Sequence, residues 1–136
     1  MSKSNGAFYC VLVISCIFAF FSIWVGFLVG MIVWHIDGTD LTWNLGQYAV
    51  YYGANAIFAL FVGILAGFNV KKRFYGPILT SVFLLPTVLF FRYYIAFIDW
   101  FCVVTTFAVG IAAMLISTAV TNKQAAQTSL DANTTI

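Results

Sequence analysis

His35, Asp37 and Asp40 fall within six residues, His-Ile-Asp-Gly-Thr-Asp, the closest grouping of metal-ligating side chains in the chain. An imidazole and two carboxylates are ligand types that divalent cations accept. Three of them on one short segment, without a fourth, make a poor site, and Asp37-Gly38 reads more simply as a turn in a solvated loop. No metal site is expected. Cys10, Cys16 and Cys102 lie inside apolar stretches and form no C-x-x-C pair. Cysteine in such surroundings behaves as a small hydrophobe, so neither a disulfide nor structural zinc is expected. The chain has no phosphate-cradling glycine loop, no G-x-S-x-G and no H-E-x-x-H. Active sites need several converging polar groups. No catalytic residue or cofactor site is assigned, and the chain is not read as an enzyme.

Three polar residues remain within or beside apolar runs. Arg92 and Asp99 are separated by six residues and face each other across a short connection. An ionisable group at the edge of a membrane span is costly and seeks a partner, so the pair is expected to bridge that turn. The sharper alternative is a cation or proton site. Asn55 sits alone in a second run. A single amide at membrane depth is expected to hydrogen-bond to a neighbouring helix; lining a polar path with Thr80, Ser81, Thr105 or Thr106 is the alternative.

The elements that position these groups are four apolar runs, with spans expected at 8–34, 48–68, 76–94 and 97–120. Roughly 20 apolar residues take a helix across the hydrocarbon core. The fold class is therefore an all-α, four-helix transmembrane bundle, one integral domain over residues 1–136, with a polar tail after Val120 expected to lack order. The first run is too long for a signal-peptide core and ends in Trp34-His35-Ile36-Asp37, which is no cleavage site; it is read as a retained span. Pro86 makes the third run the weakest, although interfacial Arg92, Tyr93 and Tyr94 lengthen it.

Composition points the same way. Of 136 residues, 63% are hydrophobic and 7% charged, with a mean hydropathy of +1.02. Soluble domains carry about 25% charged residues. The net charge of +2, without a basic patch interleaved with aromatics, excludes a nucleic-acid partner. Lys3, Lys71, Lys72, Arg73 and Lys123 fall on one side of four crossings. Both termini are therefore expected to be cytoplasmic. Trp34, Trp43, Tyr93, Tyr94 and Trp100 mark one interface and Tyr9 and Tyr75 the other.

Helices in lipid associate through small residues. Ser15, Ala19, Ser22, Gly26 and Gly30 form one such seam, with Gly26 and Gly30 a GxxxG pair. Ala49, Gly53 and Ala56 begin another, which Ala59, Gly63 and Gly67 continue on an adjacent line. Thr106, Gly110, Ala113 and Ser117 form the last. Packing within one chain is the expected use, with homo-oligomerisation through a leftover seam as the alternative. The third run, with no internal glycine, is expected to be more exposed to lipid.

These features describe a multi-pass protein of the plasma or inner cell membrane, with the bilayer as its first partner. The leading functional expectation is a non-enzymatic accessory, stabilising or immunity-type partner of a larger membrane component. The alternative is a small oligomeric transporter or channel.

Overall fold

The computed structural model describes residues 3–91 and 100–134, which are helical apart from short turns and contain no strand. Helix α1 spans Lys3–Asp37 and is apolar on all sides, as a helix surrounded by protein and lipid should be. Its 35 residues extend about 52 Å, well beyond a hydrocarbon core of about 30 Å, so its ends reach past the apolar slab.

Gly38 ends α1. It takes a positive φ of 70° and its N–H donates to the Trp34 carbonyl at 2.6 Å. A left-handed glycine just past the last turn stops a helix without the Cβ penalty another residue would incur. Helix α2, Asp40–Tyr48, begins two residues later with Asp40 in its first turn, where a carboxylate complements the helix dipole. The solvated loop expected around His35–Asp40 is thus reduced to a turn at Gly38 and Thr39. Close packing provides the reason: a Cβ on Gly46 would lie 3.3 Å from Gly30 Cα, and one on Gly30 would lie 3.3 Å from the Trp43 ring.

A π-helical segment, Ala49–Ala54, carries α2 without a break into α3, Asn55–Gly67. Helices α4, Val70–Arg73, and α5, Tyr75–Phe91, follow, and α6 spans Trp100–Thr134. Three helical stretches are long and apolar enough to cross a membrane: Asn5–Ile36, Trp43–Gly67 and Trp100–Ser129. Large apolar side chains such as Trp24, Ile32, Phe61 and Phe101 point outward from them. That is the surface of a membrane-embedded protein. Helix α3 packs most extensively on α6, while α1 packs on α2 and α5.

Two further expectations change. Helix α5 is not a lipid-facing outlier: Gly76, Pro77, Thr80, Ser81, Leu84, Thr87 and Val88 form a buried face. Hydroxyls take the place of glycines there, and Thr87 Oγ1 donates to the Phe20 carbonyl of α1 at 3.1 Å. The polar stretch after Val120 continues α6 as helix to Thr134. Gln124, Ala125, Ala126 and Gln127 are good helix formers, and Thr128 Oγ1 donates back to the Gln124 carbonyl at 3.0 Å.

Candidate functional site

The first polar cluster grows from the π-helical segment. In an α-helix the Asn55 N–H would bond the Tyr51 carbonyl. Here it is directed to the carbonyls of Val50 and Tyr52, and the register shift leaves the Tyr51 carbonyl open to other donors. It takes two. Asn55 Nδ2 donates to it at 3.1 Å and Cys102 Sγ, from α6, at 2.8 Å. The Tyr51 hydroxyl reaches the other way and donates to the Ile23 carbonyl of α1 at 3.4 Å. One residue therefore ties three helical elements together, and it is only 1% exposed. Its ring fits because residue 26 is glycine: a Cβ there would lie 2.8 Å from the ring and its oxygen.

Asn55 is buried as expected, but its amide bonds within its own helical rod; Cys102 makes the bond between helices. The other polar-path candidates also bond within their own helices. Thr80, Ser81, Thr105 and Thr106 each donate to the carbonyl four residues earlier in their own helix, at 3.1, 2.9, 2.6 and 2.8 Å. This back-bonding satisfies a hydroxyl locally and leaves no continuous row of donors.

The second cluster closes the end of α3. The last four carbonyls of a helix have no partner within it, and in lipid no water replaces one. Each carbonyl here receives a donor from elsewhere. Ser117 Oγ donates to Ile64 O at 2.9 Å, Arg73 Nη1 to Leu65 O at 2.9 Å, Asn69 N–H to Ala66 O at 3.0 Å, and Thr118 Oγ1 to Gly67 O at 3.3 Å. Arg73 also donates through Nη2 to Asn5 Oδ1 of α1, and its guanidinium lies 5.1 Å from the centre of the Phe8 ring. A cation at a helix C-terminus is favoured by the dipole. Lys71 and Lys72 are exposed, whereas Arg73 is 4% exposed.

The small residues assigned to packing lie within these contacts. Ser22 is buried and donates to the Ala19 carbonyl at 2.8 Å. Gly26 and Gly30 receive Tyr51 and Trp43 from the same chain. Gly63 meets Gly110 and Ala113, and Gly67 meets Met114 and Ser117. Gly110 also faces Pro77 of α5. Arg92 and Asp99 lie outside the described residues.

His35 and Asp40 do converge, lining a shallow depression of about 360 Å³ with Met31, Trp34 and Trp43. The imidazole Nδ1 lies 3.2 Å from the Met31 carbonyl, within hydrogen-bond distance. Among the described residues no group of three His, Cys, Asp or Glu side chains could hold a metal ion.

Arg73 and Tyr51 are the residues that sequence reasoning missed. Arg73 read as one of three equivalent cytoplasmic charges. Its only signal was chemical: a planar fork suits two acceptors where a lysine does not. Tyr51 carried a weak signal, a tyrosine placed past the interface and deep in a span. The chain matches no protein-family model, no curated protein and no solved structure.

Proposed function

We propose that this is a four-span protein of the plasma or inner cell membrane with both termini cytoplasmic, acting as a non-enzymatic accessory or stabilising partner of a larger membrane component. One observation carries the reading. Among the described residues, no buried side-chain nitrogen or oxygen lacks a hydrogen-bond partner. Polar groups inside the bundle find their partners within it, between helices at Tyr51 and Arg73 and within single helices at Asn55, Thr80, Ser81 and Thr106, while an apolar exterior remains for neighbours in the bilayer. Helix α5, with 17 described residues, is the fourth span in this reading. Lys71 and Lys72 beside α5 support a cytoplasmic assignment for that end.

Purification of the tagged chain from native membranes in mild detergent tests the role. The expected result is a second membrane protein at fixed stoichiometry that survives size-exclusion chromatography. Recovery solely as a lone chain, across mild detergents, would overturn the accessory reading.

Topology is tested separately by thiol labelling. In a background of Cys10→Ala, Cys16→Ala and Cys102→Ser, the serine retains a donor for the Tyr51 carbonyl. Thr39→Cys is expected to react with an impermeant reagent applied from outside. Asn69→Cys and Gln127→Cys should react only after the membrane is opened. Outside labelling at both Thr39 and Gln127 would require an odd number of crossings and remove α5 from the spans.

A further inference from the structure

Between α1 and α5 the outer surface holds a groove of about 510 Å³, whose walls include Val13, Ile17 and Phe21 on one side and Leu79 and Phe83 on the other, with the buried Cys16 also lining it. It lies within the length of α1 that is apolar enough to cross a membrane. From Val13 to Phe21 the groove runs about 12 Å along α1, most of the depth of one leaflet's hydrocarbon.

Its chemistry changes at one end. On α5, Phe83, Leu79 and Tyr75 recur at steps of four, which places them along one helical face, and Lys71 lies four residues before Tyr75 in α4. On α1 the wall continues from Ile17 and Val13 to Tyr9, also at steps of four. The Phe8 ring stands 5.5 Å from the Tyr9 ring and 5.9 Å from the Tyr75 ring, which brings the two tyrosines to the same end of the α1–α5 pair. Lys71 and Lys72, four and three residues before Tyr75, are exposed. Followed along both helices, the apolar trough thus leads toward two tyrosines and two exposed lysines.

We propose that the α1–α5 groove binds one anionic phospholipid, with an acyl chain along Val13, Ile17, Leu79 and Phe83 and the phosphate at Tyr9, Tyr75 and the Lys71–Lys72 pair. Charge complementarity selects this occupant. A transmembrane helix of a second copy would fill the trough but leave both lysines unanswered, and a zwitterionic lipid would answer them weakly. The cytoplasmic leaflet is where anionic lipids attract juxtamembrane lysines, consistent with the side assigned to this end. The inference goes beyond the accessory role and depends only on the chain being embedded in a bilayer.

Native mass spectrometry of the full chain tests it, in detergent containing equal amounts of palmitoyl-oleoyl phosphatidylglycerol and phosphatidylcholine. The expected result is one phosphatidylglycerol retained per chain in preference to phosphatidylcholine. Lys71→Gln with Lys72→Gln should lower that preference by at least about fivefold, since each lysine near an anionic headgroup contributes about a fivefold factor. Ile17→Trp, at a position 55% exposed, fills the trough and should reduce retention of both lipids with helicity unchanged. Equal retention of the two lipids, or a preference unchanged in the lysine variant, would overturn the proposal. So would lipid retention unaffected by Ile17→Trp. A lipid-free dimer dispersed by Ile17→Trp would assign the groove to a second copy instead.

Discussion

Gly63→Ala is expected to destabilise the bundle more than any other single-methyl addition in α3. A Cβ at residue 63 would overlap the Gly110 carbonyl oxygen and lie 2.9 Å from Ala113 Cβ. The first of these is backbone, so no rotamer change relieves the clash and α3 must move off α6. Overpacking a tight contact costs about 1–3 kcal/mol, and this one should fall at the upper end. Gly63→Leu should abolish the folded monomer. Gly67→Ala meets Ser117 Cβ at 2.5 Å and the Met114 oxygen at 2.7 Å, and should follow closely. Separating the helices would also break the Ser117 and Thr118 bonds to the end of α3, so the loss is compounded. Gly6→Ala is the control: nothing lies within 4 Å of its Cβ position, and alanine favours helix. Detergent melts followed by circular dichroism should place Gly6→Ala at or slightly above the parent. A melting temperature for Gly63→Ala equal to that of Gly6→Ala would mean that α3 and α6 do not touch here.

Arg73→Met should produce the second large effect. It removes the donor to Leu65 O, the bond to Asn5 and the cation over the Phe8 ring. A hydrogen bond from a charged group contributes about 1.5–3 kcal/mol and a cation–π contact about 0.5–2 kcal/mol, so a loss on the order of 3 kcal/mol is expected. Arg73→Lys keeps the charge but loses the fork, and should recover part of the loss. Lys71→Gln and Lys72→Gln, at exposed positions, should change the melting temperature little. Asn5→Ala combined with Arg73→Met should lose less than the two single losses added together, because both remove the same bond. If all three basic residues behaved alike, the inward role of Arg73 would be refuted and only its contribution to topology would remain.

The identity of Arg73 illustrates how sequence and structure divide the information. Its membership in a Lys-Lys-Arg run is legible, and so is the side of the membrane that such a run favours, because insertion responds to local charge. Which of the three turns inward depends on where the end of α3 and the Phe8 ring arrive, and they arrive from distant parts of the chain. The glycines behave similarly. Spacing marks Gly26, Gly30, Gly63, Gly67 and Gly110 as positions of close approach, since residues three or four apart share a helical face. It does not say that Gly26 receives the Tyr51 ring while Gly63 receives a backbone oxygen.

Helix boundaries were legible where apolarity ended and misleading where it did not decide. The residues around His35–Asp40 look like a loop by polarity, yet α1 and α2 close to a turn at Gly38 and Thr39 because Trp43 and Gly46 pack on Gly30. Polarity after Val120 likewise suggested no order, although local propensity and back-bonding carry α6 to Thr134. The π-helical segment at Tyr51 had no local signature, since its register shift is stabilised by a thiol from α6 and a carbonyl from α1. The amino-acid sequence by itself determined the solvent this chain requires, because apolar length and scarcity of charge are additive along the chain. The tertiary structure alone decided which carbonyls meet which donors. A hydrogen bond or a steric contact acts over a few ångströms, between residues that only folding brings together.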